Sequence, residues 1–133
     1  MLSNYKILNL INRFILPFIV FLAIYVQISG EDSPGGGFQA GAIFASSMIA
    51  MTFISDFKIC NQKSLIFVAA SGVMIYFITG IIPMFSGYMY LDYRAFAASN
   101  IVAQKIGIFV IELGVGLTVF SSILLIYLLF SEE

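Results

Sequence analysis

The chain is 133 residues long, 61% hydrophobic and only 10% charged, where an ordinary soluble domain is roughly 45–50% apolar and about 25% charged. So little polar surface excludes a water-soluble fold of this size. A net charge of −1 and the absence of histidine exclude a nucleic-acid footprint and any Ser/His/Asp or Cys/His catalytic set, and the lone Cys60 excludes an internal disulfide or a cysteine-built metal site.

The first hydrophobic segment runs from about Ile7 to Ile28, with Asn9, Asn12 and Arg13 in its first half. That length crosses a bilayer of ~30 Å. A cleaved signal peptide is the competing reading, since Lys6 and Arg13 precede an apolar core. The run Phe14 to Ile28 is at the upper limit for such a core, however, and Gln27-Ile28-Ser29 is not a small-x-small cleavage site, so the segment reads as a retained helix. Pro17 inside it is tolerated where neighbours satisfy the freed carbonyl.

After Gly30 the sequence switches to Glu31-Asp32-Ser33-Pro34-Gly35-Gly36-Gly37, which cannot comfortably continue a helix. A second span is expected over about 38–55. A polar loop with Asp56, Lys58 and Asn61 to Ser64 follows, and a third span covers about 65–83. The connection Met84 to Gln104 carries Asp92, Arg94 and Asn100, and its Tyr88, Tyr90 and Tyr93 suit a membrane interface. The last span is expected over about 106–130. Unbroken apolar runs of this length are helices rather than barrel strands, so the fold class is an all-α integral membrane protein of about four transmembrane helices forming a single domain, 1–133. Lys6, Arg13, Lys58 and Lys63 on one side, against Arg94 and Lys105 on the other, put both termini in the cytoplasm.

Three features could carry chemistry. The stretch Pro34, Gly35, Gly36, Gly37, Phe38, Gln39, Ala40, Gly41 lets backbone approach backbone and adopt positive φ, and can re-enter the membrane where protein covers it. An anion cradle is the weaker reading: there is no Walker lysine, and Glu31 and Asp32 repel phosphate, so no nucleotide partner is expected. Gly37, Gly41 and Ala45 recur every four residues, a spacing that lets membrane helices meet closely but also arises by chance. Glu112, inside the apolar run Ile108 to Gly116, is a candidate for ion handling because an acid at that depth usually faces protein or water. A buried structural anchor is the alternative. Lys105, seven residues earlier, lies on nearly the same face but two turns away, so waters or a bridging cation would have to link the two.

Arg13-Phe14-Ile15-Leu16-Pro17-Phe18 and Ser33-Pro34-Gly35-Gly36-Gly37-Phe38-Gln39-Ala40-Gly41 resemble the B-type component of the multisubunit Mrp-type sodium/proton antiporters. Tyr90-Leu91-Asp92-Tyr93 and Glu112-Leu113-Gly114-Val115 are similar to that family's Leu-Asp and acidic-Leu/Ile-Gly-Val motifs. The resemblance covers most of the chain. It implies a small, non-enzymatic subunit in the cell membrane of a prokaryote, partnered by other antiporter subunits and lipid. Such a subunit helps form the interfaces and the sodium route, with sodium and protons as cargo and no resident cofactor. Relatives of this B-type component also occur in membrane-bound hydrogenases and related respiratory complexes, so such a redox complex is an alternative parent, and a non-transporting assembly scaffold is a third reading.

Overall fold

A computed structural model describes residues 6–30, 35–54, 58–59, 61–96 and 99–131. Four α-helices follow in order among these residues: α1 (Lys6–Ile28), α2 (Gly37–Ile54), α3 (Gln62–Phe85) and α4 (Asn100–Ser131), with a 3-10 turn (Tyr93–Phe96) between the last two. No strand occurs among the described residues. The stretches Leu10–Ile28, Gln62–Phe85 and Ile101–Ser131 are long and apolar enough to cross a membrane, and Gly37–Phe53 is a shorter apolar helix. At 1.5 Å per residue α2 is about 27 Å long and α4 about 48 Å.

The third and fourth helices both exceed their expected limits. α4 starts at Asn100 rather than near Ile106, so Gln104 and Lys105 belong to its first turns. Polar side chains at a helix end do not interrupt the backbone ladder, and hydropathy alone sees only the apolar part. α3 likewise starts at Gln62, within the polar loop, and ends at Phe85 past Pro83.

α4 is the central element. α2 packs along one side of it and α3 along the other, while α1 packs on α2 and touches α4 over a short stretch. Gly37 and Gly41 meet α4 at Glu112 and Gly116, and Thr52 meets it at Tyr127, so α2 and α4 run parallel. Gly72 meets Gly114, while Leu65 clusters with Leu124 and Ala45, so α3 runs antiparallel to α4.

Little of the apolar surface is inside. The buried hydrophobic residues are mostly alanines with Leu65 and Leu124, whereas Phe14, Phe18 and Phe21 on α1 are 63–73% exposed. This is the distribution lipid dictates. Acyl chains are as apolar as Leu, so helices gain by close backbone approach at small residues and not by hiding large ones. Within the spans, the Ser47, Thr52, Ser71, Thr79 and Ser121 hydroxyls donate to carbonyls of their own helix, which satisfies them without water.

The connection between α3 and α4 folds back on the helices. The backbone N–H of Leu91 donates to the Gly80 carbonyl at 3.2 Å, and the Tyr90 and Tyr93 rings lie against Gly80 and Gly107. Leu91 is held at φ +63° there. A side chain at either glycine would occupy the space of a ring.

Candidate functional site: an acid beneath a glycine turn

α1 is followed by the turn residues Ser29 and Gly30, α2 begins at Gly37, and Gly30 and Gly37 both meet α4 at Glu112. A Cβ placed on Gly36 would stand 2.8 Å from Glu112 Oε1, and one on Gly30 would stand 2.8 Å from the same carboxyl carbon and closer still to Oε2. On Gly37 it would collide with the Glu112 backbone carbonyl. Gly36 is buried at φ +128°, a conformation open to glycine. Gly30 and Gly36 therefore leave room for the carboxyl group, Gly37 leaves room for the backbone that carries it, and Glu112 Oε2 is buried there.

The site lies deep. Glu112 is about 18 Å along α4 from Asn100, more than three turns, rather than the two turns expected from a start at Ile106. The start of α2 is recessed likewise, because Gly37 is level with Glu112 while α4 extends beyond it. The carboxyl also lies at the N-terminal end of α2, where the helix dipole and the first unbonded N–H groups favour negative charge.

One turn further along α4 the packing repeats. A Cβ on Gly41 would stand 2.5 Å from the Gly116 carbonyl oxygen, and one on Gly116 would stand 2.8 Å from Gln27 Oε1. On the opposite side of α4, a Cβ on Gly114 would stand 2.7 Å from the Gly72 carbonyl oxygen. Residues 112–116 are thus gripped from two sides by glycine backbone. Next to them is a cavity of about 330 Å³, lined by residues that include Ala23, Gln27, Ala40, Phe109, Leu113 and Phe120.

The residues singled out from the sequence separate into three groups. Glu112, Gly36, Gly37 and Gly41 come together. Gly35 packs beside them on Val26, where a Cβ would stand 3.2 Å from Val26 Cγ1. Phe38 is 65% exposed on α2, and Lys105 is exposed near the N-terminal end of α4. Pro34, with Glu31, Asp32 and Ser33, lies outside the described residues. Gln27 and Gly30 complete the site although the sequence did not mark them. Gly30 resembles an ordinary helix stop, and Gln27 an ordinary interfacial residue at a span end; a polar residue on the last turn that faces protein looks no different in sequence from one that faces water.

In the connection between α3 and α4, Asp92 accepts hydrogen bonds from the Arg94 side chain, including one of 2.8 Å from Nε, and the two form an ion pair. The Arg94 hydrogen bond holds the Asp92 carboxyl below its ordinary value. The Arg94 guanidinium also lies 5.7 Å from the Tyr88 ring centroid. Burial pushes the Tyr93 phenol up. Among the described residues no three acidic, Cys or His side chains gather into a metal site.

Comparison with known proteins places this architecture. Residues 7–125 match the model of a family described as a domain related to the MnhB subunit of Na+/H+ antiporters. The chain is 29% identical over 82 residues to the B-type component of the Na+/H+ antiporter of Bacillus subtilis, covering 59% of this chain and 57% of that protein. It is 30% identical over 95 residues to a candidate antiporter subunit mnhB2 of Staphylococcus aureus, covering 69% and 67%. With the corresponding Staphylococcus saprophyticus protein the figures are 26% over 94 residues, 68% and 67%.

Proposed function

The chain belongs to the family of domains related to the MnhB subunit of Na+/H+ antiporters and is a subunit of such a multisubunit antiporter; from that premise we propose that Glu112 is an ion-handling group on its transport route. The observation that carries this reading is the clamping of the Glu112 carboxyl between Gly30 and Gly36, deep along α4. A carboxyl in a span is expensive, about 2.5–3.5 kcal/mol on insertion scales for a central acid. A turn stripped of side chains leaves room for that carboxyl at this depth, where a bulkier turn would displace it.

The chemistry is an exchange at one group. The protonated carboxyl releases its proton to water as sodium takes its place beside the carboxylate, and the N-terminal end of α2 holds the negative charge between the two occupants. The driving force comes from the ion gradients, so the chain takes up no nucleotide and catalyses no covalent step. The exposed phenylalanine face of α1 and the exposed outer turns of α4 are surfaces for the other antiporter subunits and for lipid. Both termini lie in the cytoplasm of a prokaryotic cell whose membrane holds the complex.

Glu112→Gln keeps the size and removes the charge. In everted vesicles carrying the assembled complex, sodium-induced collapse of a preformed proton gradient is expected to fall at least tenfold. Wild-type exchange by that variant, with the complex intact, makes Glu112 a structural anchor instead.

A further inference from the structure

Gln27 is placed to act on Glu112. It lies in the last turn of α1, three residues before Gly30 in the turn that follows, and Gly30 meets the Glu112 carboxyl. Across the interface, the Gln27 Oε1 atom rests where a side chain on Gly116 would be, at 2.8 Å from that Cβ position, and Gly116 is one turn of about 5.4 Å beyond Glu112. The amide nitrogen is buried and makes no hydrogen bond among the described residues. It borders a cavity whose other lining side chains are apolar. An amide donor buried against hydrocarbon carries a desolvation penalty that an acceptor relieves, and a carboxylate one turn away on the facing helix is such an acceptor.

We propose that Gln27 is a positioning residue for Glu112: its side-chain amide donates, directly or through one water, to the ionised carboxylate and withdraws to the Gly116 wall when a proton or sodium neutralises that group. The proposal rests on the reading of Glu112 as the ion-handling acid. A donor that serves only the anion favours the charged form and sets the pH at which the proton leaves. The other ionisable groups of the described residues lie on the surrounding elements. α2 has no ionisable residue between Gly37 and Ile54. From α3 the group at this level is Tyr76, on the far side of α4 beside Gly114. From the 3-10 turn come Tyr93, near Gly107, and Arg94, paired with Asp92. α1 adds Tyr25, which is 58% exposed, and α4 itself adds Lys105. Glu31 and Asp32 follow Gly30 in sequence and lie outside the described residues.

The test reads Glu112 without needing transport. A hydrophobic carbodiimide adds to a protonated carboxyl in the membrane, so labelling of Glu112 in the assembled complex, followed by mass spectrometry across pH, gives the midpoint of its protonation. Gln27→Leu and Gln27→Met remove the donor and keep the bulk. In either variant that assembles, the midpoint is expected to move about one pH unit upward, a tenfold change in proton affinity. Gln27→Glu is expected to move it further by like-charge repulsion. A midpoint unmoved in the donor-less variants overturns the proposal, and so does a shift confined to Gln27→Glu, which would report proximity without a hydrogen bond. Transport by Glu112→Gln is scored separately. A labelling shift alongside undiminished exchange keeps the Gln27 pairing and removes the ion role, whereas lost exchange without a shift does the reverse.

Discussion

Gly36 and Glu112 share a space that only a hydrogen atom can occupy: a Cβ on Gly36 would stand 2.8 Å from the Glu112 carboxylate oxygen, and the glycine sits at φ +128°. Both conditions penalise substitution. Gly36→Ala is expected to strain the backbone by about 1–3 kcal/mol and to displace the carboxyl as well. Gly87 supplies the control, because its φ of +80° is also left-handed but nothing lies within 4 Å of its Cβ position. Thermal unfolding of the detergent-solubilised complex should rank Gly36→Ala well below Gly87→Ala, and exchange should fall only in the former. Equal losses would mean that strain alone matters at Gly36.

Small residues hold α4 between its neighbours, so enlarging them should separate helices. Gly41→Val and Gly72→Val each place a side chain within reach of a carbonyl oxygen of α4, at 2.5 Å for the first carbon alone. Backbone cannot yield as a flexible side-chain end can. Recovery of the assembled complex after mild solubilisation is expected to drop severalfold for both, while Ser46→Val, on an exposed face of α2, should be recovered at the wild-type level.

The helices were legible because lipid imposes one rule on every span, and a run of apolar residues announces it. The four-residue spacing of Gly37, Gly41 and Ala45 was also visible, and it is the face on which α2 meets α4. Glu112 and the glycine triplet each drew attention separately. Their meeting did not, since it depends on α2 running beside α4 in a particular register, and no local pattern encodes a contact across more than 70 residues. Gln27 and Gly30 were missed for the same reason. The true start of α4 escaped because the hydropathy of Asn100 to Lys105 describes their surroundings and not their backbone.

Near the C-terminal ends of α2 and α4, the Thr52 and Tyr127 hydroxyls are 2.9 Å apart and join the two helices, and Phe53 packs edge-on against the same tyrosine at 6.2 Å between ring centroids. Tyr127→Phe removes the hydrogen bond and keeps the ring contact. Polar contacts between membrane helices average about 0.6 kcal/mol, so the variant should lower stability by about that amount in a reversible unfolding titration. A loss of several kcal/mol would indicate that Tyr127 supports more than this contact.

The Asp92–Arg94 pair should make the loop between α3 and α4 pH-dependent. Its hydrogen bond to Arg94 holds the Asp92 carboxyl below the ordinary value of 3.8. A carboxyl depressed in the folded state stabilises above its unfolded value and loses that contribution as pH falls through the lower, folded one. Asp92→Asn should therefore exchange amide hydrogens in residues 88–96 faster than wild type near neutral pH, with the gap closing below about pH 4. Because the Arg94 side chain of the pair is exposed, high salt should narrow the gap too. A difference that persists unchanged at low pH would assign the effect to the side chain's size and not its charge.

The direction in which the helices cross the membrane gives the last prediction. α2 and α4 are parallel and α3 is antiparallel to them, so the ends of α3 should lie on opposite sides. Lys58 is exposed just before α3, and Met89 is 82% exposed just after it. With Cys60 replaced by serine, a cysteine at Met89 in intact cells should react with an impermeant maleimide, and one at Lys58 only after permeabilisation. The excess of basic residues at 6, 13, 58 and 63 over those at 94 and 105 favours this sense over its inverse. Reaction at both positions from outside would mean that α3 does not span the bilayer. The reversed pattern would keep the bundle but invert it, and the recessed glycine turn above Glu112 would then open toward the cytoplasm, from which sodium would have to reach the carboxyl by the short path past Gly30.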